Sequence, residues 1–386
     1  MKSARWKVGI DLAPAARRAQ APGTARLVEE QARALFKLDV PWTWVPVFSK
    51  AENPLWAETQ SLHPIRGRQT KASLHASLEL GRIWRESHCD LGFATAFFTP
   101  LIGPPVVANY FDSNFFEPVD TWHRKKHLAQ HLLTRSLLSH SLRRARKLFI
   151  LSEYGRSRMG AIFPKTRDKF IVAPCGIRQP GSPSSEPPAW APHDGRPFYL
   201  YVGSFSDNKN QRAALQAWHI LQTKYPDAPG LIMIGPGRAT YLQDVIRPLH
   251  QALPRPHEVV IPGFTREDHL NWAYWNAQGY LQPSFAEGFG MPVLEAMSCN
   301  LPVACSDSTS LPEVAGDAAL LFDPRNPSSI AGRVEELWKN ASLRARLIEL
   351  GRNRAAQFTW EKNAKIVADA ILAQLNLASV TRVHGP

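Results

Sequence analysis

Two acidic residues bracket a glycine-rich turn in the second half of the chain. Residues 282–298 read QPSFAEGFGMPVLEAMS, with Glu287 before the turn, Glu295 after it and seven residues between them. Pro292 suits the first turn of a helix, and backbone amides at a helix start attract anions. Glu287 can reach a group held at a strand end, and Glu295 can accept hydrogen bonds from vicinal hydroxyls such as those of a ribose. The pattern favours a site for a diphosphate; the ordinary alternative is that Glu287 caps the helix and Glu295 is a solvated helix charge.

A lysine follows another strand in the same half of the chain. Residues 201–210 read YVGSFSDNKN, so that a strand ends at Gly203, a polar loop follows, and Lys209 opens a helix. An ammonium group at a strand end can neutralise the charge of a departing diphosphate. The alternative interpretation is an ordinary surface lysine.

Short apolar strands alternate with helices along both halves of the chain, which predicts parallel, doubly wound sheets. The predicted strands are Trp6–Asp11, Trp42–Phe48, Leu91–Phe93, Val106–Tyr110, Leu148–Ser152, Phe170–Ala173, Phe198–Gly203, Leu231–Ile234, Val259–Ile261, Gly279–Gln282 and Val303–Cys305. The clearest helices are Gly23–Leu38, Trp122–Lys147, Gln211–Lys224 and Met291–Ser298. We therefore expect an α/β fold of two doubly wound, Rossmann-like domains facing a cleft, with ligands beyond the carboxyl ends of the strands.

A proline-rich segment divides the chain. Residues 179–197 read QPGSPSSEPPAWAPHDGRP and contain six prolines. Such a composition predicts a linker, which separates a first domain at residues 1–178 from a second domain that starts at residue 198.

The charge is distributed unevenly. Residues 1–178 carry 28 Lys and Arg against 14 Asp and Glu, whereas residues 179–386 carry 18 against 19. Residues 120–170 alone hold 13 basic residues against three acidic ones. An excess confined to one half indicates an anionic partner for that half: a membrane surface, a nucleic acid or an anionic substrate.

Composition and hydropathy exclude several classes of protein. With 44% hydrophobic and 20% charged residues the chain is typical of globular domains, and its four cysteines are too few for a disulfide scaffold and fit a reducing cytosol. Residues 1–12 lack the apolar core of a signal peptide. The longest uncharged run, residues 91–111, is interrupted by three prolines. We therefore expect a cytoplasmic protein without a membrane-spanning helix.

Together these motifs resemble those of the retaining glycosyltransferases of family 4 (group 1), which have the two-domain GT-B fold. The resemblance rests on Glu-x7-Glu at Glu287 and Glu295, on the loop from Gly203 to Asn210, and on SLPEVAGDAALLFDP at residues 310–324. It extends to GIDLAPAARRAQAPGTARLVEEQARAL near the start and to FTWEKNAKIVADAIL near the end. The latter resembles a terminal helix that returns to the first domain, which implies a second domain at 198–357 and a returning segment at 358–386.

The resemblance implies a role for each matching residue. Glu287 would contact the donor sugar, Lys209 would neutralise the donor diphosphate, and Glu295 would bind the ribose. The remaining substrate contacts would come from Gly23 and Thr24 at the tip of a phosphate loop, from Gly203, Ser204, Gly235 and Phe264, and from Gly288, Phe289, Gly290, Met291, Pro292 and Val293. No cofactor and no metal is implied, because positive side chains and a helix start replace the metal in this fold, and the sequence has no Asp-x-Asp.

Two places depart from the family pattern. Ser204 and Asn208 stand where a basic residue is usual, which leaves phosphate neutralisation more to Lys209. Phe111 and Asp112 replace a His-Asp pair, so one contact to the donor sugar is lost, and Asp112 either orients the acceptor hydroxyl or caps a turn.

Within the family, the motifs resemble those of bacterial mannosyltransferases of surface polysaccharide assembly, for example of lipopolysaccharide. This implies transfer from GDP-mannose to a saccharide or lipid-linked acceptor, with a UDP- or dTDP-sugar as the alternative donor. For the basic stretch Arg124–Lys147 we expect attachment to the anionic inner face of the membrane, with a solvated helix face as the ordinary alternative. A basic membrane-binding or nucleic-acid-binding protein with a GT-B shell is the alternative class, but the sequence contains no nucleic-acid recognition module and we expect no nucleic-acid partner.

Overall fold

The computed structural model describes residues 6–16, 22–49, 53–62, 65–66, 74–111, 128–178, 181, 186–192 and 195–383. These residues form two compact units. The first unit holds the described residues up to Gly176 and those from Thr359 onwards, and the second holds those from Ile177 to Phe358.

Seven described strands form a parallel sheet in the first unit. They are β1 (Trp6–Asp11), β2 (Trp42–Phe48), β3 (Ile65–Arg66), β4 (Leu91–Ala94), β5 (Val106–Asn109), β6 (Lys147–Ile150) and β7 (Phe170–Val172). Their order in the sheet is β3-β2-β1-β4-β5-β6-β7, and every neighbouring pair is parallel. All residues of β4 and β5 are buried, as is usual for parallel strands covered on both faces.

The helices of the first unit lie between these strands and at the end of the chain. Their bounds are Pro22–Phe36, Leu74–Glu86, Leu128–Arg144, Glu153–Ile162 and Trp360–Val383.

A buried chain of amide side chains attaches the C-terminal helix to the first sheet. Gln31 Nε2 donates a hydrogen bond to Asn363 Oδ1 at 2.8 Å, and Asn109 Nδ2 donates to Gln31 Oε1 at 2.7 Å. Asn363 Nδ2 in turn donates to the carbonyls of Ala173 and Pro174 at 3.0 and 2.9 Å. Because each of these buried amides has its partners, the helix is tied to this unit at low cost in desolvation.

Six strands form the parallel sheet of the second unit. They are β8 (Phe198–Val202), β9 (Gly230–Ile234), β10 (Val259–Gly263), β11 (Gly279–Gln282), β12 (Val303–Ser306) and β13 (Ala319–Phe322). Their order is β10-β9-β8-β11-β12-β13, with all neighbours parallel. This is the Rossmann order, in which the chain reverses its direction across the sheet between β8 and β11, and ligands bind at such a switch point.

The α-helices of the second unit are shorter near the β9 loop and longer towards its end. Their bounds are Gln211–Lys224, Ala239–Tyr241, Arg247–Gln251, Glu267–Asn276, Met291–Ser298, Leu311–Ala315, Pro327–Lys339 and Ala341–Ala355. The core of this unit includes large buried side chains such as Tyr199, Tyr201 and Trp218.

The expected architecture of parallel α/β units is confirmed, with specific corrections. The helix predicted to run to Lys147 ends at Arg144, and Lys147 begins β6, where it pairs with Val107. The strands β3 and β13 and the helix Leu74–Glu86 were not predicted from the sequence. No helix in the described ranges is both long and apolar enough to cross a lipid bilayer.

Candidate functional site

The carboxyl ends of four neighbouring strands gather the residues that the sequence assigns to a ligand. Gly203 and Ser204 follow β8, Gly235 follows β9, Phe264 follows β10, and Glu287 lies in the loop after β11. These strands are consecutive in the order β10-β9-β8-β11. The second unit therefore places the expected residues along one edge of one sheet.

Lys209 and Glu287 form an ion pair at the switch point of this sheet. Lys209 Nζ lies 2.5 Å from Glu287 Oε2, and the two residues follow the adjacent strands β8 and β11. Their side chains are 20% and 10% exposed, so the pair is largely shielded and yet reachable from solvent. A carboxylate and an ammonium held in this way can act on a ligand as one polar unit.

Asn210 explains why the loop that carries Lys209 lies against the loop that carries Glu287. Asn210 has a left-handed backbone, with φ of 56°, and is buried. Its Nδ2 donates to the carbonyls of Pro283 and Pro324, at 3.0 and 2.8 Å. Asparagine tolerates this conformation better than most residues, so one side chain joins the ends of β8, β11 and β13.

The turn after Glu287 is held by the segment that follows β12. Ser310 Oγ donates to the carbonyls of Glu287 and Phe289, at 3.0 and 3.1 Å, and the Glu287 N–H donates to Thr309 Oγ1 at 3.0 Å. Gly290 has φ of 104°, and a Cβ there would lie 2.6 Å from a methyl group of Leu311. A side chain at position 290 is therefore excluded both by the backbone and by packing.

The run from Gly288 to Val293 offers fewer backbone amides than expected. Pro292 has no N–H, and the Val293 N–H donates to the Gly290 carbonyl at 3.0 Å, so these two positions supply no amide to a ligand. The Phe289 side chain is buried against Phe358, with ring centroids 5.6 Å apart. Met291 is half-buried at the helix start.

The other oxygen of Glu287 faces polar groups that were not predicted from the sequence. Gln282 Nε2 and Ser284 Oγ donate to Glu287 Oε1 at 3.0 and 2.8 Å. Gln282 Nε2 also donates to Ser284 Oγ at 2.8 Å, and Tyr280 Oη donates to Gln282 Oε1 at 2.6 Å. Burial raises the pKa of Tyr280 well above its usual range, so the phenol stays protonated and remains a donor. The only sequence signal was the polar Gln282 at the end of an apolar strand.

Neither ordinary interpretation of the two glutamates holds. The helix Met291–Ser298 has Gly290 as its N-cap and no side-chain cap, so Glu287 does not cap it. Glu295 is buried, and its Oε2 accepts a hydrogen bond from Tyr274 Oη at 3.0 Å. Glu295 is therefore not a solvated helix charge.

Two glycine loops approach each other beside Lys209. A Cβ at Gly235, whose φ is 153°, would lie 2.0 Å from the Gly203 carbonyl oxygen. The Phe205 N–H donates to the Pro236 carbonyl at 2.7 Å, which keeps the loops parallel. Phe264 lies at the end of the next strand with 68% of its surface exposed, as a flat apolar face beside a polar edge.

The residues expected in the first unit lie partly outside the described ranges. Gly23 and Thr24 are in the first turn of the helix Pro22–Phe36, rather than at the tip of a loop as expected. Phe111 is buried, and Asp112 lies outside the described residues. Within the described ranges, no group of three or more His, Cys, Asp or Glu residues could hold a metal ion.

Comparison with known proteins gives a family match for the unit that carries the ion pair. Residues 184–354 match the model of the family described as "Glycosyl transferases group 1". The chain is 32% identical to O-antigen chain mannosyltransferase B of Escherichia coli over 233 residues, which are 58% of this chain. The match spans 60% of that relative's own length.

Solved structures share the fold over almost the whole chain. Sucrose-phosphate synthase from Thermosynechococcus elongatus superposes with a TM-score of 0.73 and 18% identity, covering 97% of this chain and 100% of that one. HepE from Anabaena, solved with UDP and glucose, gives a TM-score of 0.69 and 16% identity, covering 96% and 100%. At these identities the comparison bears on the fold alone.

Proposed function

We propose that the protein transfers a sugar from a nucleotide-diphosphate donor to a saccharide or lipid-linked acceptor, because residues 184–354 match the model of the glycosyl transferases group 1 family. We further propose that transfer retains the anomeric configuration and serves the assembly of a surface polysaccharide.

The Lys209–Glu287 pair is the observation that carries this proposal. A nucleotide sugar carries a diphosphate joined to a sugar ring that bears hydroxyl groups. The pair offers a cation for the diphosphate and an anion for the hydroxyl groups, 2.5 Å apart at the switch point of the sheet. Lys209 stabilises the negative charge that develops on the leaving diphosphate. Glu287 accepts hydrogen bonds from the sugar and holds its reacting carbon near the acceptor.

The remaining parts of the donor are assigned to the neighbouring loops. Gly203, Ser204 and Gly235 let the backbone approach the diphosphate, and Phe264 offers an exposed ring for the nucleobase. Glu295 binds the ribose. This last role requires its buried carboxylate to exchange or share the Tyr274 hydrogen bond when the donor arrives.

GDP-mannose is the donor that we favour. The support is the 32% identity to an O-antigen chain mannosyltransferase. A UDP- or dTDP-sugar is the alternative. We propose that no metal takes part, since Lys209 supplies the positive charge that a metal ion gives to other transferases.

We propose that the protein acts at an anionic membrane surface, on the cytoplasmic side, where a lipid-linked acceptor would lie. The support is the basic stretch Arg124–Lys147, of which residues 124–127 lie outside the described residues. In its described part only some of the basic side chains face solvent. Arg143 and Arg146 are exposed, whereas Arg144 donates to the carbonyls of Gly103 and Pro104 at 3.1 and 3.0 Å. Because its guanidinium is half-buried and holds these carbonyls, Arg144 stabilises the fold rather than a lipid contact, and its burial lowers its pKa.

A panel of nucleotide sugars tests the proposal. GDP-mannose, GDP, UDP-glucose and dTDP-glucose are added separately, and the melting temperature and the release of free sugar are measured with and without EDTA. We expect GDP-mannose and GDP to raise the melting temperature most, with slow sugar release that EDTA does not change. No stabilisation and no release with any nucleotide sugar would contradict the function, and a larger effect of a UDP- or dTDP-sugar would reassign the donor.

A further inference from the structure

We propose that Gln282 is a positioning residue: its hydrogen bond to Oε1 holds Glu287 in place when Lys209 leaves Oε2 to bind a phosphate group. The inference rests on the proposed function, because it concerns what the Lys209–Glu287 pair does when a donor binds. It assigns a role in the reaction to a residue outside the Glu-x7-Glu motif.

The hydrogen bonds of this network form one consistent set of directions. Tyr280 Oη lies 2.6 Å from Gln282 Oε1 and 3.3 Å from the Val202 carbonyl oxygen, and we assign its single proton to the nearer acceptor. The Gln282 amide oxygen can only accept, and it accepts the proton of Tyr280 Oη at 2.6 Å. The Gln282 amide nitrogen can therefore only face the other way, where its two N–H groups reach Ser284 Oγ and Glu287 Oε1. The Ser284 hydroxyl then donates its proton to Glu287 Oε1 at 2.8 Å. Tyr280 thus sets the orientation of the amide, and the amide sets the orientation of the carboxylate.

The donors divide between the two oxygens of Glu287. Oε1 accepts from Gln282 at the end of β11 and from Ser284 in the loop that follows, and Oε2 accepts from Lys209 of the neighbouring loop. If Lys209 shifts towards a phosphate, Oε2 loses its partner but Oε1 keeps both of its own. A carboxylate held by two hydrogen-bond donors stays in place, so the lysine and the glutamate can act separately.

The charged and titratable groups around Glu287 are few among the described residues. Lys209 is its cation, and the buried phenols of Tyr201 and Tyr280 face it from β8 and β11. The charge of Glu287 contributes to the raised pKa of both phenols, after the larger effect of burial, and Glu295 adds to that of Tyr280. A further negative charge at position 282 would therefore enter a site that already disfavours it.

Two substitutions of Gln282 test the role through opposite changes. Gln282→Leu removes the donor, and we expect kcat to fall about 10-fold or more with little change in the donor KM. Gln282→Glu keeps the shape and the acceptor for Tyr280, but at neutral pH it replaces the donor by a like charge. At lower pH the two carboxyl groups share one proton, and the new acid O–H can donate to Glu287 as the amide did. We therefore expect the kcat of Gln282→Glu, relative to wild type, to rise about 10-fold between about pH 8 and about pH 5.5.

Gln222 provides a matched control in the same unit. It is buried, and its Nε2 donates to Glu258 Oε2 at 3.2 Å, far along the chain from both loops. Gln222→Leu and Gln222→Glu make the same chemical changes next to a different glutamate. They should leave kcat and its pH profile at the wild-type values, whereas an equal effect of the Gln222 and Gln282 variants would reduce the role of Gln282 to fold stability.

Thermal stability tests the network without any turnover. A carboxyl group whose proton is held more tightly in the folded state stabilises the protein at low pH, and this stabilisation is lost as the pH rises. The melting temperature of Gln282→Glu should therefore be close to that of wild type at about pH 5.5 and several degrees lower at about pH 8. An equal difference at both pH values would overturn the contact and with it the proposal, even if the wild type transfers sugar. Absence of transfer by the wild type would instead contradict the proposed function, and the melting data would still decide the contact.

Discussion

Lys209 Nζ and Glu287 Oε2 lie 2.5 Å apart, so two side chains that the sequence assigns to different parts of a ligand form a single ion pair. The ammonium group of Lys209 has three N–H donors. Within the described residues, one of them is hydrogen-bonded to Glu287. The same lysine can therefore hold the glutamate and still bind a phosphate oxygen. Removing either partner should also affect the other, because a largely shielded charge loses its counterion.

Glu287→Gln should fold normally and lose most of the transfer activity. The amide keeps the size of the side chain and removes the charge that orients Lys209 and the sugar. Loss of one preorganised electrostatic contact typically lowers kcat about 100-fold. Steady-state kinetics with the preferred nucleotide sugar measure the effect, and circular dichroism checks the fold.

The control for this change is Glu336→Gln, which alters an exposed glutamate paired with Arg333 at 2.8 Å. This variant should keep wild-type kinetics. If Glu287→Gln also stays within a factor of about two of wild type, where the expected loss is about 100-fold, Glu287 has no catalytic role.

Lys209→Ala should weaken the binding of the nucleoside diphosphate and leave that of the free nucleoside unchanged. In the proposed function the lysine contacts the donor diphosphate, and no basic side chain stands at Ser204 or Asn208 to replace it. Loss of a charge-assisted hydrogen bond corresponds to about 10- to 100-fold in Kd. Calorimetry with both ligands gives the comparison, with Lys224→Ala as a surface control. Equal losses for the two ligands would refute a phosphate role.

The fold could be predicted from the sequence wherever hydrophobic strands are bounded by glycine and proline. The bounds Trp6–Asp11, Trp42–Phe48 and Gly279–Gln282 agree with the structure, because buried parallel strands appear as short apolar runs. The helix Leu74–Glu86 was not predicted because its Trp84 is accommodated by glycines in distant strands. That indole lies against Gly9 and Gly92, where a Cβ would come within 2.3 and 2.2 Å of its ring. Such pairing between distant residues cannot be read from local periodicity.

The candidate site could be predicted in its loops but not in its supporting contacts. Glycine, proline and charged residues after strands identified Lys209 and Glu287, because these types carry local backbone and chemical information. Gln282 bonds to Glu287 only five residues along the chain, through the turn after β11. The partners Ser310 and Asn210 act through hydrogen bonds to segments 23 and 114 residues away. Their roles follow from strand order, which the sequence did not specify residue by residue.

Asn210→Ala should destabilise the second unit and reduce activity together. It removes two buried hydrogen bonds and leaves a residue with a Cβ at φ of 56° without its side-chain support. The expected loss in the free energy of unfolding is about 2–4 kcal/mol. Asn210→Gly should lie between Ala and wild type, because glycine accepts this backbone conformation but restores neither hydrogen bond. Chemical denaturation measures both variants.

Asn300 separates the backbone effect from the hydrogen bonds. It also has a left-handed backbone, with φ of 62°, but its side chain only accepts from the Arg352 guanidinium. Asn300→Ala should cost about 1–2 kcal/mol and leave kcat unchanged. If Asn210→Ala costs no more than Asn300→Ala, then the links from Asn210 to Pro283 and Pro324 do not hold the two loops together.

Arg143 and Arg146 should mediate binding of the first unit to anionic membranes. Both are exposed, and each basic residue near an anionic surface contributes about 1 kcal/mol, less at high salt. Co-sedimentation with vesicles that contain an anionic phospholipid should therefore show binding at low salt that high salt weakens. Reversing both residues to Glu should weaken it about 10-fold or more, while nucleotide binding stays intact. Arg144 is left unchanged because it holds the carbonyls of Gly103 and Pro104.

Reversal of the exposed Arg325 and Arg346 in the second unit changes the net charge equally and should leave vesicle binding at the wild-type level. Equal loss of vesicle binding in both double variants would indicate an effect of net charge. If the wild type does not bind anionic vesicles at low salt, then this basic surface is either a solvated helix face or a contact for the acceptor.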